Sequence, residues 1–484
     1  MPSSSASTAA CSTSCPRPRA ARWPPRPEVQ TMADQLYPIN RTEHAYISTH
    51  GMMGSFNQPY LMRLNAPVDE ARVREGFRRL VSAHPRLRCV VEPGRLHYGF
   101  RVLPDDEIVD QLFEIAWKVR RDVDLDDPAE LEAFHNEILN DPLPLERGLG
   151  MRAFFLPHPQ RPMLVMNIHH MLLDGRSILH LLSDLMGWLN GRDIRPSEME
   201  SRSMWPAAAP RSWRQLLAAR SHAREGARLA AEMPAIQVPT KLTHNYSTHA
   251  VLHHRLGVGA APLRARARAI GVSLNTLLVA LFAESFLRLD AADPKSAAVI
   301  RLSVDMRRCY PEGQQPVIGN FVGAFLVREQ RRGLPFDELA RAIDAQVKEG
   351  TRRFDEREMG WTYLFEELVA YFGRTMTAYL GWKMKRAGKF PRISLHATSL
   401  GDANRINAAD ARLRIDEIWP VAPSLSLLFV TVEMNGSIFF PAAFQRCETD
   451  PRAVRSFLSL VDEVAREIAG VTDSEPVDAR KAAA

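Results

Sequence analysis

MLVMNIHHMLLDG, residues 163–175, is the stretch that decides the fold. Met163 to Ile168 form a short apolar run that fits a buried strand. His169 and His170 terminate it, and a turn carrying Asp174 and Gly175 follows. Beyond the turn, Ile178, Leu181, Leu182, Leu185 and Leu189 recur at helical spacing and mark one face of a helix. The two histidines therefore sit on a strand-to-helix turn, held by regular elements yet facing open space. Chemistry is commonly carried on such turns.

A histidine near neutral pH can take and return a proton. One that follows a buried strand is partly desolvated, which favours its neutral, basic form. A carboxylate four residues later, Asp174, can fix the turn by accepting backbone N–H groups or by pairing with an arginine. Gly175 lets the chain pass close to a bound substrate. Paired histidines at a strand end are also common structural residues. The chain holds a second pair, His253-His254, inside an expected strand, with no Asp-Gly after it; that pair is read as structural. A zinc site on His170 and Asp174 would need a further ligand, and no His-Glu-x-x-His or cysteine cluster supplies one, so no metal is expected. No G-x-S-x-G elbow, P-loop or G-x-G-x-x-G fingerprint is present, which leaves hydrolase and nucleotide readings without support.

Working outward, 484 residues suit two sizeable domains plus tails. Residues 1–31 are rich in Ser, Ala, Pro and Arg and are expected to be a disordered tail, with Met32 as the expected true start. Residues 32–190 form an N-terminal half. Residues 191–245 are an interdomain connection with one helix around Trp213 to Met233. Residues 246–470 form a C-terminal half, and 471–484 a second tail. The net charge of +6 owes much to the tail, where four arginines stand against Glu28, so no nucleic-acid partner is expected. The five cysteines include no C-x-x-C, which fits a reducing, cytoplasmic setting. No run approaches the ~20 apolar residues of a membrane helix.

Other elements follow from pattern. Gln58 to Leu64 suits a strand. Asp69 starts a helix with the stripe Val73, Phe77, Leu80 and Val81, which Pro85 ends. Arg88 to Val91 and Leu96 to Val102 look like strands. Ser273 caps the helix Leu274 to Leu289. Ala297 to Val304 is a buried strand, and Ile318 to Phe321 a turn. Leu425 to Glu433 and Ser437 to Phe440 form a hairpin about Asn435-Gly436. Ala453 to Ile468 is an amphipathic helix. This succession indicates α/β or α+β layers. From Leu368 to Phe390, Leu368, Phe372, Met376 and Tyr379 form an apolar stripe beside Arg374, Lys383, Lys385, Arg386 and Lys389. A core-facing helix with a solvated basic end is the expectation; peripheral contact with an anionic membrane is the alternative.

His169-His170-Met171-Leu172-Leu173-Asp174-Gly175 resembles the H-H-x-x-x-D-G signature of the chloramphenicol-acetyltransferase-like superfamily. That group includes condensation domains of nonribosomal peptide synthetases, polyketide-associated and plant acyltransferases, and wax ester synthase/diacylglycerol acyltransferases. Tyr37 to Asn40 with Glu43-His44, the segment Val81 to Arg88, Val304 to Arg307, Gly319 to Phe321, and Ser399 to Gly401 resemble further family segments. The likeness spans roughly residues 35 to 470. The plant subgroup's D-F-G-W-G is missing, and Tyr37 to Tyr46 is unlike the wax ester synthase signature.

The resemblance implies two similar α/β domains in a V with a tunnel between them. It implies an acyltransferase with His170 as general base on an alcohol or amine acceptor. The donor is an acyl thioester on coenzyme A or on the phosphopantetheine arm of an acyl carrier protein, a co-substrate rather than a bound cofactor. Asp174 holds the loop and pairs with Arg307; His169 is structural. The Gly175 N–H and the Ser399 region are candidates for stabilising the oxyanion. A stand-alone, monomeric, condensation-like enzyme of secondary metabolism is expected. A membrane-surface lipid acyltransferase and a catalytically silent binding module of the same fold are the alternatives.

Overall fold

The computed structural model describes residues 36–471, apart from 51–53, 95–96, 242–247, 291–292 and 388–391. The expected tails, 1–31 and 471–484, lie outside the described residues except for Val471, and so do Leu96 of an expected strand and Lys389 and Phe390 of the expected helix.

The first half runs β1 (Tyr37–Pro38), α1 (Arg41–Thr49), β2 (Asn57–Leu64), α2 (Glu70–Ala83), β3 (Cys89–Pro93), β4 (Tyr98–Val102) and α3 (Glu107–Ala116). It continues through β5 (Trp117–Val119), α4 (Pro128–Asn140), β6 (Met151–Leu156), β7 (Met163–His169) and α5 (Gly175–Leu189). Two helices follow, α6 (Trp205–Ala208) and α7 (Trp213–Glu232). The rest runs β8 (His249–Leu252), α8 (Ala260–Ile270), α9 (Leu274–Leu289), β9 (Ala298–Asp305), β10 (Val322–Glu329), α10 (Phe336–Asp355), α11 (Gly360–Tyr371) and α12 (Arg374–Arg386). It ends with β11 (Leu395–Asp402), β12 (Ile415–Pro420), β13 (Leu428–Met434), β14 (Ser437–Phe439), β15 (Ala442–Gln445) and α13 (Pro451–Ala469).

The architecture is mixed α/β with open sheets. A five-stranded sheet in the order β12-β2-β7-β6-β5 carries the first half, beside a small β1-β4-β3 sheet. The second half builds a sheet in the order β10-β9-β11-β13-β15-β8, with β14 added to β13. β7 lies between β2 and β6, so neither edge is open, and its residues on both faces, all seven, are buried. That is why it reads as a continuous apolar run rather than an alternating one. β2, flanked on its other edge by β12, is likewise buried throughout. The segment 246–470 thus does not keep its strands to itself: it lends β12 to the first half's sheet.

Local chemistry accounts for the elements that patterning finds. Asp69 accepts from Arg72 N at 2.9 Å and Ser273 from Thr276 N at 3.0 Å, each satisfying an open N–H of a first helical turn. The stripe Val73, Phe77, Leu80 and Val81 is fully buried. Asn435 takes a left-handed φ of +48° in the β13–β14 turn, as a two-residue hairpin of this type requires.

Two expectations are corrected. His253-His254 falls just after β8 rather than inside it. His253 instead stacks on Trp419 of β12 at 4.4 Å and lies 2.7 Å from His135 of α4, so it is a packing element joining the two halves. The stretch expected as one core-facing helix is broken at Gly373, whose φ is +88°, into α11 and α12. Its stripe faces outward: Leu368, Phe372, Met376 and Tyr379 are all exposed. Among the described residues no single helix is long and apolar enough to cross a bilayer.

Candidate active site

His170 owes its place to the end of β7. Its N–H still bonds Phe56 O at 2.8 Å, and Leu172 N then turns back onto His169 O at 2.9 Å. Asp174 caps α5, its Oδ1 accepting from Ser177 N at 2.9 Å. The motif is a strand, a five-residue connection from His170 to the cap Asp174, and a helix.

His169 is buried. Its Nδ1 accepts from Met171 N at 3.2 Å, which leaves Nε2–H to donate to His50 Nδ1 at 3.1 Å. Burial, with His50 and His170 adding to it, holds its pKa well below the usual 6.5, so it stays neutral. Both ring nitrogens are engaged, which is a structural role.

His170 is only half-buried, and its ring stacks on Tyr46 of α1 at 4.6 Å. Nδ1 lies 3.2 Å from Leu173 O and also 3.2 Å from Asn320 Nδ2. The first partner can only accept and the second only donate, so Nδ1 cannot satisfy both. Asn320 Nδ2 is served by His170 O at 2.6 Å, whereas Leu173 O can only accept, so we assign the ring proton to Nδ1, donating to Leu173 O. No described protein group bonds Nε2. Burial lowers the pKa of His170 below 6.5, against the opposing pull of the Leu173 carbonyl and the Asp174 charge. The result is a neutral imidazole whose tautomer is fixed by backbone and whose Nε2 lone pair is open, the form that a general base requires.

The turn is anchored by the second half. Arg307 follows β9 and forms a two-pronged pair with Asp174: Nη1 to Oδ2 at 2.7 Å and Nη2 to Oδ1 at 3.2 Å. The same guanidinium donates to Asp305 Oδ1, Ser177 Oγ and Pro316 O and lies over the Phe321 ring. Asp174 Oδ2 also accepts from Phe321 N at 2.9 Å. Burial alone would raise the Asp174 pKa, but Arg307 and these N–H donors outweigh it and hold the carboxyl below its usual range. Both partners are buried, so the pair is a fork-on-fork contact shielded from water.

Gly319 to Phe321 completes the anchor. Gly319 O accepts from Asp174 N at 3.0 Å, and Gly319 adopts φ +150°, where an added Cβ would stand 2.6 Å from the Phe321 ring. Asn320, fully buried, receives Asn40 Nδ2 on its carbonyl at 2.9 Å and holds His170 O through its amide. The role of Asn320 is not read from the sequence, although the turn that carries it is. The available signal is an amide side chain inside a Gly-Asn-Phe turn, which must find partners once buried.

At Gly175 a Cβ would stand 2.6 Å from Leu400 Cδ2 and 3.2 Å from the Tyr60 hydroxyl, so Leu400 of β11 packs closely on the start of α5. Ser399, one residue earlier, is exposed and accepts from Gly401 N at 3.2 Å in a bulge of β11. Among the described residues the segment reaches the His170 turn through Leu400. His396 of the same strand lies within electrostatic reach of His170, and burial drives its pKa well below 6.5, with Arg301 and His170 adding to the effect. Its Nε2 lies 3.0 Å from Ser303 Oγ of β9.

The model of the condensation-domain family matches residues 48–356, which include the His170 turn, Arg307 and Asn320. By sequence, the chain is similar to the hybrid PKS-NRPS synthetase mycA of Thermothelomyces thermophilus, 28% identical over 145 residues. The match covers 29% of this chain and 3% of that synthetase, so the chain spans a small part of the curated relative's length. By fold, it is similar to TRI3, the trichothecene 15-O-acetyltransferase of Fusarium sporotrichioides, with TM-score 0.65, 13% identity and coverage of 90% and 94% of the two chains. It is also similar to the first condensation domain of the calcium-dependent antibiotic synthetase, with TM-score 0.62, 14% identity and coverage of 90% and 98%.

Proposed function

Because the chain belongs to the condensation-domain family, we propose that it is an acyltransferase moving an acyl group from a thioester to an alcohol or amine acceptor. The observation that carries this reading is the free Nε2 of His170 on a neutral ring whose Nδ1–H is held by Leu173 O. His170 Nε2 takes the acceptor's proton as its oxygen or nitrogen attacks the thioester carbonyl. The tetrahedral oxyanion then collapses, the carbon–sulfur bond breaks, and the imidazolium returns the proton to the leaving thiolate. Asp174 and Arg307 hold the turn and move no proton. His169 supports it, and the Gly175 N–H and Ser399 are the oxyanion candidates.

The donor is acyl-coenzyme A or a carrier-protein phosphopantetheine thioester, and it meets the acceptor in a tunnel between two halves arranged as a V. The related synthetase mycA combines polyketide and peptide assembly, which favours a place in secondary metabolism and a carrier-protein partner. The test is incubation with acyl thioesters on coenzyme A and on carrier protein, with alcohol and amine acceptors, and mass spectrometry of the products. New esters or amides are expected. Binding of thioesters with no transfer under any pairing would favour a silent binding module.

A second reading, acyl transfer to a lipophilic acceptor at a membrane surface, is favoured by α7, α11 and α12. Trp213, Leu217, Tyr371, Phe372, Tyr379 and Trp382 are all exposed there, Trp213 by 78% and Tyr371 by 74%. Lys383 lies over Tyr379 and Arg386 over Trp382, and α12 holds no acidic residue. Aromatic and cationic groups on one helix match the interface of an anionic bilayer. The protein is expected to co-sediment with phosphatidylserine-containing vesicles and less with neutral ones. A Tyr379→Ser/Trp382→Ser variant should lose most of that binding with its melting temperature unchanged. Equal retention of the variant would count against this reading.

A further inference from the structure

The face of the second-half sheet that turns away from its core carries an unpaired cation beside the catalytic turn. On β9, Ile300 and Leu302 pack into the core, so Arg301, Ser303 and Asp305 point to the opposite face. On β11, Leu395 and Ala397 do the same, which puts His396 beside Arg301, its direct partner in the parallel pairing. One end of this face is closed by Val299, packed with Ile393 and Leu326. The other is closed by Asp305, which pairs with Arg176 at 2.6 Å and with Arg307 at 3.1 Å. Between these closures stand Arg301 and Ser303, with Ser303 Oγ 3.0 Å from His396 Nε2. Arg301 is exposed, and its side chain has no hydrogen-bond or ion-pair partner among the described residues. Its charge is nonetheless felt by both His396 and Tyr46, the ring stacked on His170.

A guanidinium presents its donors in a planar fork that matches a carboxylate, and the acid that β9 puts on this wall, Asp305, is taken by Arg176 and Arg307. We propose that Arg301, with Ser303 beside it, binds a carboxylate of the substrate and so selects for an anionic reactant at His170. The pantetheine phosphates are not that anion. They lie many bonds from the thioester carbon, whereas Arg301 shares its wall with His396, which stands within electrostatic reach of His170. The carboxylate therefore belongs to the acyl group or to the acceptor. This inference rests on the acyl-transfer reading above.

The test uses matched pairs that differ only in the charge. Succinyl-coenzyme A against butyryl-coenzyme A probes the acyl side; serine against serinamide, titrated into the donor complex, probes the acceptor side. Dissociation constants are measured by calorimetry for the intact chain and for Arg301→Gln, Arg301→Lys and His170→Ala. The intact chain is expected to bind the carboxylated member of one pair about tenfold or more tightly, the effect of one charge-assisted contact. Arg301→Gln should abolish that preference with an unchanged melting temperature, and Arg301→Lys should keep part of it. His170→Ala should retain the preference while losing turnover, which separates failure of the subsite from failure of the base assignment. Equal binding within both pairs, or a preference that survives Arg301→Gln, overturns the proposal.

Discussion

Asp174→Ala and Arg307→Ala are each expected to lower stability by about 3–5 kcal/mol, while the double variant loses less than the sum. Each partner is buried, and removing one strands the other's charge away from water. The two losses differ in kind. Without Arg307, Asp174 still accepts from Ser177 N and Phe321 N, so part of its charge remains solvated by backbone. Without Asp174, Arg307 keeps Asp305 and three carbonyls, but α5 loses its cap as well, a further cost of about 1 kcal/mol. Activity should fall in all three variants, because each breaks the Asp174–Arg307 fork that fastens the His170 turn to the segment after β9. The contribution also has a pH signature. The Asp174 pKa is depressed from 3.8 in the folded chain, so its stabilisation is complete above that value and disappears as pH falls through the lower, folded one. Urea denaturation of the four proteins measures the cycle. Additive losses would mean that the pair contributes no coupling.

Much of this arrangement is written into local sequence. The strand-turn-helix about His170 is legible because β7 is central, hence uniformly apolar, and because α5 carries a full buried stripe. Arg307 is placed opposite Asp174 only through resemblance to a family; nothing in spacing joins residues so far apart. The rest depends on tertiary partners. β12 is unremarkable as a segment and becomes a strand by lying against β2. The outward turn of α11 and α12 is hidden because an apolar stripe has the same periodicity whether it faces core or solvent. The close packing of Leu400 on Gly175 is hidden too, because the two lie far apart in sequence. Asn320 is obscured for the same reason: its partners, Asn40 and His170, come from the first half.

His170 is the base we propose. Its pKa is lowered by burial below 6.5, so the ring remains neutral and competent through neutral pH. Its Nε2 is the nitrogen left open once Leu173 O holds Nδ1–H. Alanine removes that lone pair but leaves the backbone bonds of the turn, His170 N to Phe56 O and Asn320 to His170 O, in place. The fold should therefore persist while proton transfer is lost, a reduction of ~10²-fold or more. In the intact enzyme, kcat/KM should hold as pH drops to 6.5 and decline only below it. The most direct measurement is the single-turnover rate of acyl transfer from a saturating thioester in the intact chain and in His170→Ala. A loss of ~10²-fold or more at unchanged melting temperature is the predicted result; a variant that transfers acyl groups at near the intact rate would contradict the account.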